Sequence, residues 1–249
     1  MHLTNAVKCD RLYIKVIVSL SSDSKSITKR RTCQVEYKKL IENAKNDRIQ
    51  IAVECTAHML LEQDVNDLKM NDIAEQCELG VASLYRYFGT KASLVIKAGC
   101  MLWRSVRSLF DGVFECDWYK EKNGLEQLRE LMKVFKVLYI SHKDFLRFLD
   151  SFDRYIVSEK VADEDMEEYQ NSVMDFYTLF EDAYSTGIKD GSLRAGIDFK
   201  TMYLSVTHAL MLMSEKSARG DIFAGESESV ESELDFIIEM AIRYIGSER

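Results

Sequence analysis

The stretch Asn71–Lys91, reading Asn-Asp-Ile-Ala-Glu-Gln-Cys-Glu-Leu-Gly-Val-Ala-Ser-Leu-Tyr-Arg-Tyr-Phe-Gly-Thr-Lys, decides the fold. Ile73 and Ala74 lie one turn before Cys77, and Leu79, Leu84 and Phe88 follow at separations that let two short crossed helices share a small core. Ala74 is small where the helices must approach. Ser83, Tyr85, Arg86 and Tyr87 are left for the outer face, where a helix laid in a DNA major groove needs donors and flat apolar surface. The pattern predicts a helix-turn-helix turning across Glu78, Leu79 and Gly80.

On the N-terminal side, a helix from about Asp47 to Glu62 places Ile49, Val53, Ala57 and Leu60 on one stripe and props this pair. On the C-terminal side, Thr90 reads as the cap of a long helix running through Trp103 and Phe110 toward Cys116. Its amino end presents free amides near a phosphate, and its length carries it out of the head into a second lobe. That continuity is the expected lever between the two.

These residues resemble the TetR-type transcriptional regulators. The family hallmark is Asp-Ile-Ala, a short turn, then small-Ser/Thr-Leu-Tyr, an aromatic or His, Phe, and a Ser/Asn/Thr-Lys pair. Asp72-Ile73-Ala74, Ala82-Ser83-Leu84-Tyr85, Tyr87-Phe88 and Thr90-Lys91 match it in order and spacing. The likeness is strong over Asp47 to about Val106; beyond, Gly187 to Arg194 followed by Asp198 looks like the family's turn before its penultimate helix. Three positions depart from the pattern. Glu78 replaces the usual turn Gly, Asp64 the usual Gly after the first helix, and Lys69 the usual Thr opening the second. Asp64 is expected to accept a left-handed conformation and Asp67 or Asn71 to supply a displaced cap, whereas Glu78 would repel phosphate unless its carboxylate points to solvent, so a reshaped turn and an unusual operator preference are expected.

The resemblance implies a DNA-contacting set of Lys69, Asn71, Ala82, Ser83, Tyr85, Arg86, Tyr87 and Lys91. Tyr85 either packs in the head core or meets a thymine methyl or a phosphate; Ser83 meets phosphate or a base edge. Tyr87 is the stronger phosphate candidate. Arg86 either reads guanine or screens charge, Lys69 substitutes an ionic contact for the missing Thr hydroxyl, and Lys91 is a backbone contact.

The 249-residue chain is 47% hydrophobic, with 12 Phe, 12 Tyr and 2 Trp, enough for a sizeable core. It contains no proline, where average usage gives about 12, which favours an all-α architecture. The net charge of -8 argues at first against nucleic acid, but the charge is split. Up to Val106 there are 16 Lys/Arg against 12 Asp/Glu, and from Arg107 onward 17 against 29. The basic excess comes from Lys25 to Arg48, so electrostatic attraction to DNA is expected to be moderate. Six cysteines, Cys9, Cys33, Cys55, Cys77, Cys100 and Cys116, show no zinc or disulfide spacing and read as free thiols; Cys55 and Cys77 fall on apolar helix faces.

The expected domains are an extension over 1–45, a head over 46–106 with its helix-turn-helix at 69–88, and a lobe over 107–249. In the extension, Leu12 to Leu20 is too short to span a bilayer and is not followed by a clean signal-peptide cleavage site, so a short strand, a disordered arm or an over-extended gene start are the open readings, and the DNA-binding unit implies a cytoplasmic address. Ser21 to Ser26 reads as a linker, and Lys29-Arg30-Arg31 as either a solvated arm or one tracking phosphates.

The second lobe repeats amphipathic helices. Leu125 to Tyr139, Phe145 to Tyr155 and Met166 to Tyr184 carry wide apolar faces whose Phe, Tyr and Met suit an apolar or aromatic ligand as well as a core. In the resembled family this region holds the inducer, and the candidate lining is Trp103, Phe110, Phe135, Tyr139, Phe152, Tyr155, Phe176 and Tyr177. Phe199 to Met213 and Leu234 to Ile245 form two further stripes. Pairing with the same helices of a second copy gives a four-helix bundle and sets two heads at about 34–36 Å on palindromic double-stranded DNA. No nucleophile elbow, phosphate loop or zinc motif is present, and His2, His58, His142 and His208 are scattered, so neither catalysis nor a metal or cofactor is expected. The expected function is a homodimeric, ligand-released repressor; an adaptor that has lost DNA binding and a small-molecule carrier or enzyme are the alternatives.

Overall fold

The computed structural model describes residues 26–110, 112–220 and 229–247, and the chain divides into two units, residues 1–50 and 51–249. Ten α-helices occur among the described residues: α1 (Ser26–Glu62), α2 (Met70–Gln76), α3 (Val81–Phe88), α4 (Lys91–Phe110), α5 (Asp117–Lys120), α6 (Gly124–Ser141), α7 (Lys143–Glu159), α8 (Glu167–Asp190), α9 (Phe199–Arg219) and α10 (Val230–Ile245). A 3₁₀ turn, Asp163–Met166, leads into α8, and no strand is found among the described residues. None of their helices is long and apolar enough to cross a membrane.

The first unit is described from Ser26 as helix, with Leu40 and Ile41 exposed. The expected start at Asp47 is therefore corrected to Ser26: no Pro or Gly interrupts Ser26–Asn46, and the helix formers Lys, Arg and Glu recur through it. The apolar run Leu12–Leu20 and the linker up to Lys25 lie outside the described residues.

The second unit begins with the rest of α1, where Val53, Ala57 and Leu60 are buried, as the stripe predicts. Ladder ends are satisfied where sequence supplies acceptors. Thr90 Oγ1 accepts the Ser93 amide at 3.1 Å, Asn123 Oδ1 that of Glu126 at 2.9 Å, and Asp198 Oδ2 that of Thr201 at 2.8 Å. The Thr201 hydrogen bonds hold the Asp198 carboxyl below its ordinary range. Helix α4 stops at Phe110, short of the expected Cys116, where the Val113 amide closes a turn on the Phe110 carbonyl at 3.0 Å and Gly112 takes φ +84°.

Helix α6 is the hub of the lobe, packing on α7, α8, α9 and α10. Its amino end meets the carboxyl end of α8 backbone to backbone. A Cβ on Gly124 would lie 2.0 Å from the Gly187 amide nitrogen, and the Gly124 amide itself donates to Asp190 Oδ2 at 2.8 Å. Gly191 turns left-handed to end α8, and Leu193 then bridges to Gly246 beyond α10. Cross-helix ion pairs Lys136–Asp235 (2.6 Å) and Arg129–Glu239 tie α6 to α10. Because no side chain can yield at the crossing, Gly124→Ala is expected to lower stability by about 2–3 kcal/mol in urea unfolding. An unchanged midpoint would show that the crossing tolerates a methyl group.

Candidate nucleic-acid interface

The head is a small apolar knot. Leu68, Met70, Ile73, Ala74 and Cys77 of the α2 region, Leu84 and Phe88 of α3, and Leu94 of α4 are all buried. Helix α2 ends in a Schellman arrangement: the Leu79 amide bonds the Ala74 carbonyl at 2.9 Å and the Glu78 amide bonds that of Glu75 at 3.1 Å. This closure requires a left-handed residue. Glu78 fills that place at φ +54°, a strain of about 1–2 kcal/mol that Gly would avoid, and is exposed.

Burying Leu84 and Phe88 fixes the opposite side of α3. Ala82 and Arg86 are exposed, Tyr85 is 50% exposed, and Ser83 and Tyr87 are half-buried. Arg86 Nη2 donates to Ser83 Oγ (3.3 Å) and to Tyr87 Oη (3.4 Å), with the guanidinium 5.2 Å from the Tyr87 ring centre. Two hydroxyls and a guanidinium thus form one polar edge, in which most of the five Arg86 N–H donors are left over. Of the two readings for Tyr85, packing in the head core is not the one seen. Lys69 and Asn71 are exposed at the amino end of α2. Lys69 is the N-cap position with no side-chain hydrogen bond, so the caps expected from Asp67 or Asn71 do not form.

Lys91 departs from its expected role. Its ammonium bonds the Val65 carbonyl at 2.5 Å and lies 4.9 Å from the Tyr155 ring centre. Burial lowers its pKa, against the opposing pull of Glu159, Asp64 and Asp67. The cation is thus spent on holding the loop between α1 and α2. The same loop is fixed to α7 twice more: the Val65 amide donates to Ser151 Oγ at 2.7 Å, and Asp64 pairs with Arg154 at 3.1 Å. Asp64 is not left-handed, contrary to expectation; its Oδ1 instead accepts the Asn66 amide at 2.8 Å. Partial burial raises its pKa, but the Asn66 hydrogen bonds and Arg154 outweigh this and hold the carboxyl low. Sequence reasoning misses this clamp because Ser151 and Arg154 are 86 and 90 residues from their partners.

The eight aromatic candidates do not converge on one chamber. Phe110 and Phe176 line a cleft of about 60 Å³ together with Arg107, Gly112, Phe114 and Glu115. Trp103 and Phe152 are instead sealed in the core around Tyr169: Trp103 Nε1 donates to Tyr169 Oη at 2.8 Å, and Phe152 stacks on the Tyr169 ring at 4.5 Å. Tyr155 is buried under Lys91. Tyr177 belongs to a second aromatic cluster with Phe199 and Tyr203, Tyr139 lies under Lys143, and Phe135 is half-buried on α6. Helical periodicity marks inward faces but does not distinguish core from cleft. Phe114 and Arg107 escape sequence reasoning because the former follows the end of α4 and the latter is charged.

On α9, Glu215 is buried facing α7. Burial, then the Asp153 and Asp150 carboxylates, push its pKa up to about 7, against the pull of Arg219. The folded carboxyl keeps its proton above the ordinary value of 4.5, so its contribution to stability is full below that pH and is lost as pH rises through about 7. Glu215→Gln is therefore expected to be more stable than the parent at pH 8, with the difference vanishing near pH 4.5; equal unfolding free energies at both pH values would contradict this. Lys91→Met is expected to cost about 1–2 kcal/mol, measured by urea unfolding, through the orphaned Val65 carbonyl. Unchanged stability with weakened DNA retention would instead make Lys91 a phosphate contact.

Residues 53–98 match the sequence profile of the bacterial regulatory proteins of the tetR family. No curated protein sequence matches the chain. Among solved structures, the chain is similar to a TetR-family transcriptional regulator from Rhodococcus sp. at 14% identity, covering 79% of this chain and 99% of that one with a TM-score of 0.61. It is also similar to a transcriptional regulator from Saccharomonospora viridis in complex with choline, at 16% identity, 83% and 100% coverage and a TM-score of 0.59. The regulator FadR from Bacillus subtilis, in complex with stearoyl-CoA, is 14% identical over 79% of this chain and 98% of that one, with a TM-score of 0.56. At such identities the likeness is one of fold. Residues 53–98 thus carry a helix-turn-helix head of the tetR type, and the all-helical fold of the chain is similar to that of TetR-family transcriptional regulators.

Proposed function

We propose that the chain is a cytoplasmic repressor that binds palindromic double-stranded DNA as a homodimer and is released by a small apolar or aromatic effector. The observation that carries this reading is the outward polar edge of α3, Ser83, Arg86 and Tyr87 beside exposed Tyr85, held by the inward burial of Leu84 and Phe88. Those residues, with Lys69, Asn71 and Ala82, are the proposed DNA contacts, and Lys91 positions the loop behind them. The proposed domains are a head over 46–106 and an effector and dimerisation lobe over 107–249.

Dimerisation is supported by apolar residues left outside the core. On α10, Phe236 is 65%, Met240 50% and Tyr244 64% exposed at successive turns; on α9, Leu204 and exposed His208 lead to Leu212 at 65%. Such stripes on adjacent helices suit a bundle with a second copy. Effector binding is supported by the cleft at Phe110 and Phe176 and by the choline and stearoyl-CoA complexes of two proteins of similar fold. The cleft is far smaller than the roughly 300–1,000 Å³ of ligand pockets, so an effector must part the aromatic side chains. Motion of α7 would reach the head through Ser151, Arg154 and Tyr155, and the effector shifts populations by its differential affinity for the two dimer geometries.

Selection from a random duplex pool is expected to recover palindromic DNA. Against that DNA, Arg86→Ala is expected to lose about 1–3 kcal/mol in affinity and relax preference at one position per half-site, and Tyr87→Phe to weaken all sequences alike. A pool that is never enriched, or an Arg86→Ala chain with parental affinity, would contradict the reading.

A further inference from the structure

Helix α10 carries an exposed apolar stripe with charge of opposite sign at its two ends. Phe236, Met240 and Tyr244 recur at every fourth position and are all exposed, and exposed Glu233 stands on the same face, one turn before Phe236. The first turn is acidic, with Glu231 and Glu233, and the last turn holds Arg243. A second cation is fixed beside the carboxyl end from outside the helix. The Arg194 amide donates to the Ile245 carbonyl at 3.0 Å, Leu193 bridges to Gly246, and the Ser247 amide donates to the Ser192 carbonyl at 3.0 Å. Residues 192–194 are thereby stitched to 245–247. The Arg194 guanidinium lies over the Tyr244 ring, 4.0 Å from its centre, and the residue is exposed. A guanidinium held by a ring face still has N–H donors to offer, so the carboxyl end of the stripe presents a preorganised cation.

We propose that Arg194 and Glu233 set the direction and register of the homodimer: α10 packs antiparallel on α10 of a second copy, with Met240 at the twofold axis and Glu233 paired with the partner's Arg194. This rests on the homodimer reading above and adds which way the helices run and which residues select it.

Charge decides the direction. Parallel packing brings the two copies of Glu233 together and the two copies of Arg194 together. Antiparallel packing replaces both like-charge contacts by opposite-charge ones, and it also sets the two helix dipoles head to tail. Position decides the register. With Met240 on the axis, Phe236 is about 6 Å from it along the helix and meets the partner's Tyr244, four residues to the other side, as an aromatic pair. Glu233 is about 10 Å from the axis and falls level with the partner's Ser247, the segment to which Arg194 is stitched. Symmetry gives each dimer this ion pair twice. Both copies flank the apolar centre, where charge selects partners more than it supplies affinity.

Sedimentation equilibrium of the full-length chain tests the pairing. Arg194→Glu and Glu233→Arg are each expected to weaken the dimer about tenfold or more, because each change puts like charges together at both symmetric sites. Both residues are exposed, so the far-ultraviolet circular dichroism of the variants is expected to match the parent. An equimolar mixture of the two variants is expected to form a heterodimer of near-parental affinity, seen as the mixed mass in native mass spectrometry, since every cross-chain contact is again of opposite sign. The double variant is expected to recover as a homodimer, and high salt to shrink all these differences. Single variants with the parental dissociation constant, or a mixture that dimerises no better than either variant alone, would overturn the pairing while leaving the homodimer standing. A parental chain that stays monomeric at the highest concentration reached would overturn the homodimer reading itself, and the pairing with it.

Discussion

The burial of Leu84 and Phe88 is the constraint on which the head depends. They are one turn apart on an eight-residue helix that is too short to persist alone in water, so α3 exists because this apolar edge is covered by the head core. Covering that edge leaves the direction of the opposite one no freedom. Ser83, Arg86 and Tyr87 face outward as a geometrical consequence, and their mutual hydrogen bonds reduce the number of rotamers that must be frozen when a groove is met.

A second constraint joins the head to the lobe. The loop before α2 gives its Val65 amide to Ser151, its Val65 carbonyl to Lys91 and its Asp64 carboxylate to Arg154. Helix α7, which supplies two of these partners, is also packed against α6 and α9. In the proposed mechanism, rearrangement of the lobe helices would reach the head through these short polar contacts as well as along α4.

Much of this is legible in the sequence because it is local. The small residue at Ala74, the spacing of Leu84 and Phe88, the Thr90 cap and the amphipathic periods of α6 to α10 are properties of neighbouring residues, and the structure places them as read. The sequence misleads in three ways. The family pattern puts the start of α1 at Asp47, whereas a run free of Pro and Gly continues the helix back to Ser26. Lys91 reads by its charge as a phosphate contact, but a partly buried ammonium seeks the nearest carbonyl, and Val65 is 26 residues away in sequence. Helical face marks the aromatic residues Trp103 and Phe110 alike as inward; only the tertiary arrangement separates a core residue bonded to Tyr169 from a cleft wall. Asp64 shows the same limitation in reverse, a position where side-chain hydrogen bonds rather than a left-handed backbone meet the turn.

The central claim is that the exposed edge of α3 is the surface that meets DNA. Amide hydrogen exchange with and without saturating duplex DNA at low salt tests it most directly, since it maps contact without assuming a sequence. The account predicts new protection concentrated over Lys69–Asn71 and Val81–Lys91, with α6 and α8 little changed. Protection confined to the lobe, or none at a duplex concentration that retains the protein on a gel, would contradict it.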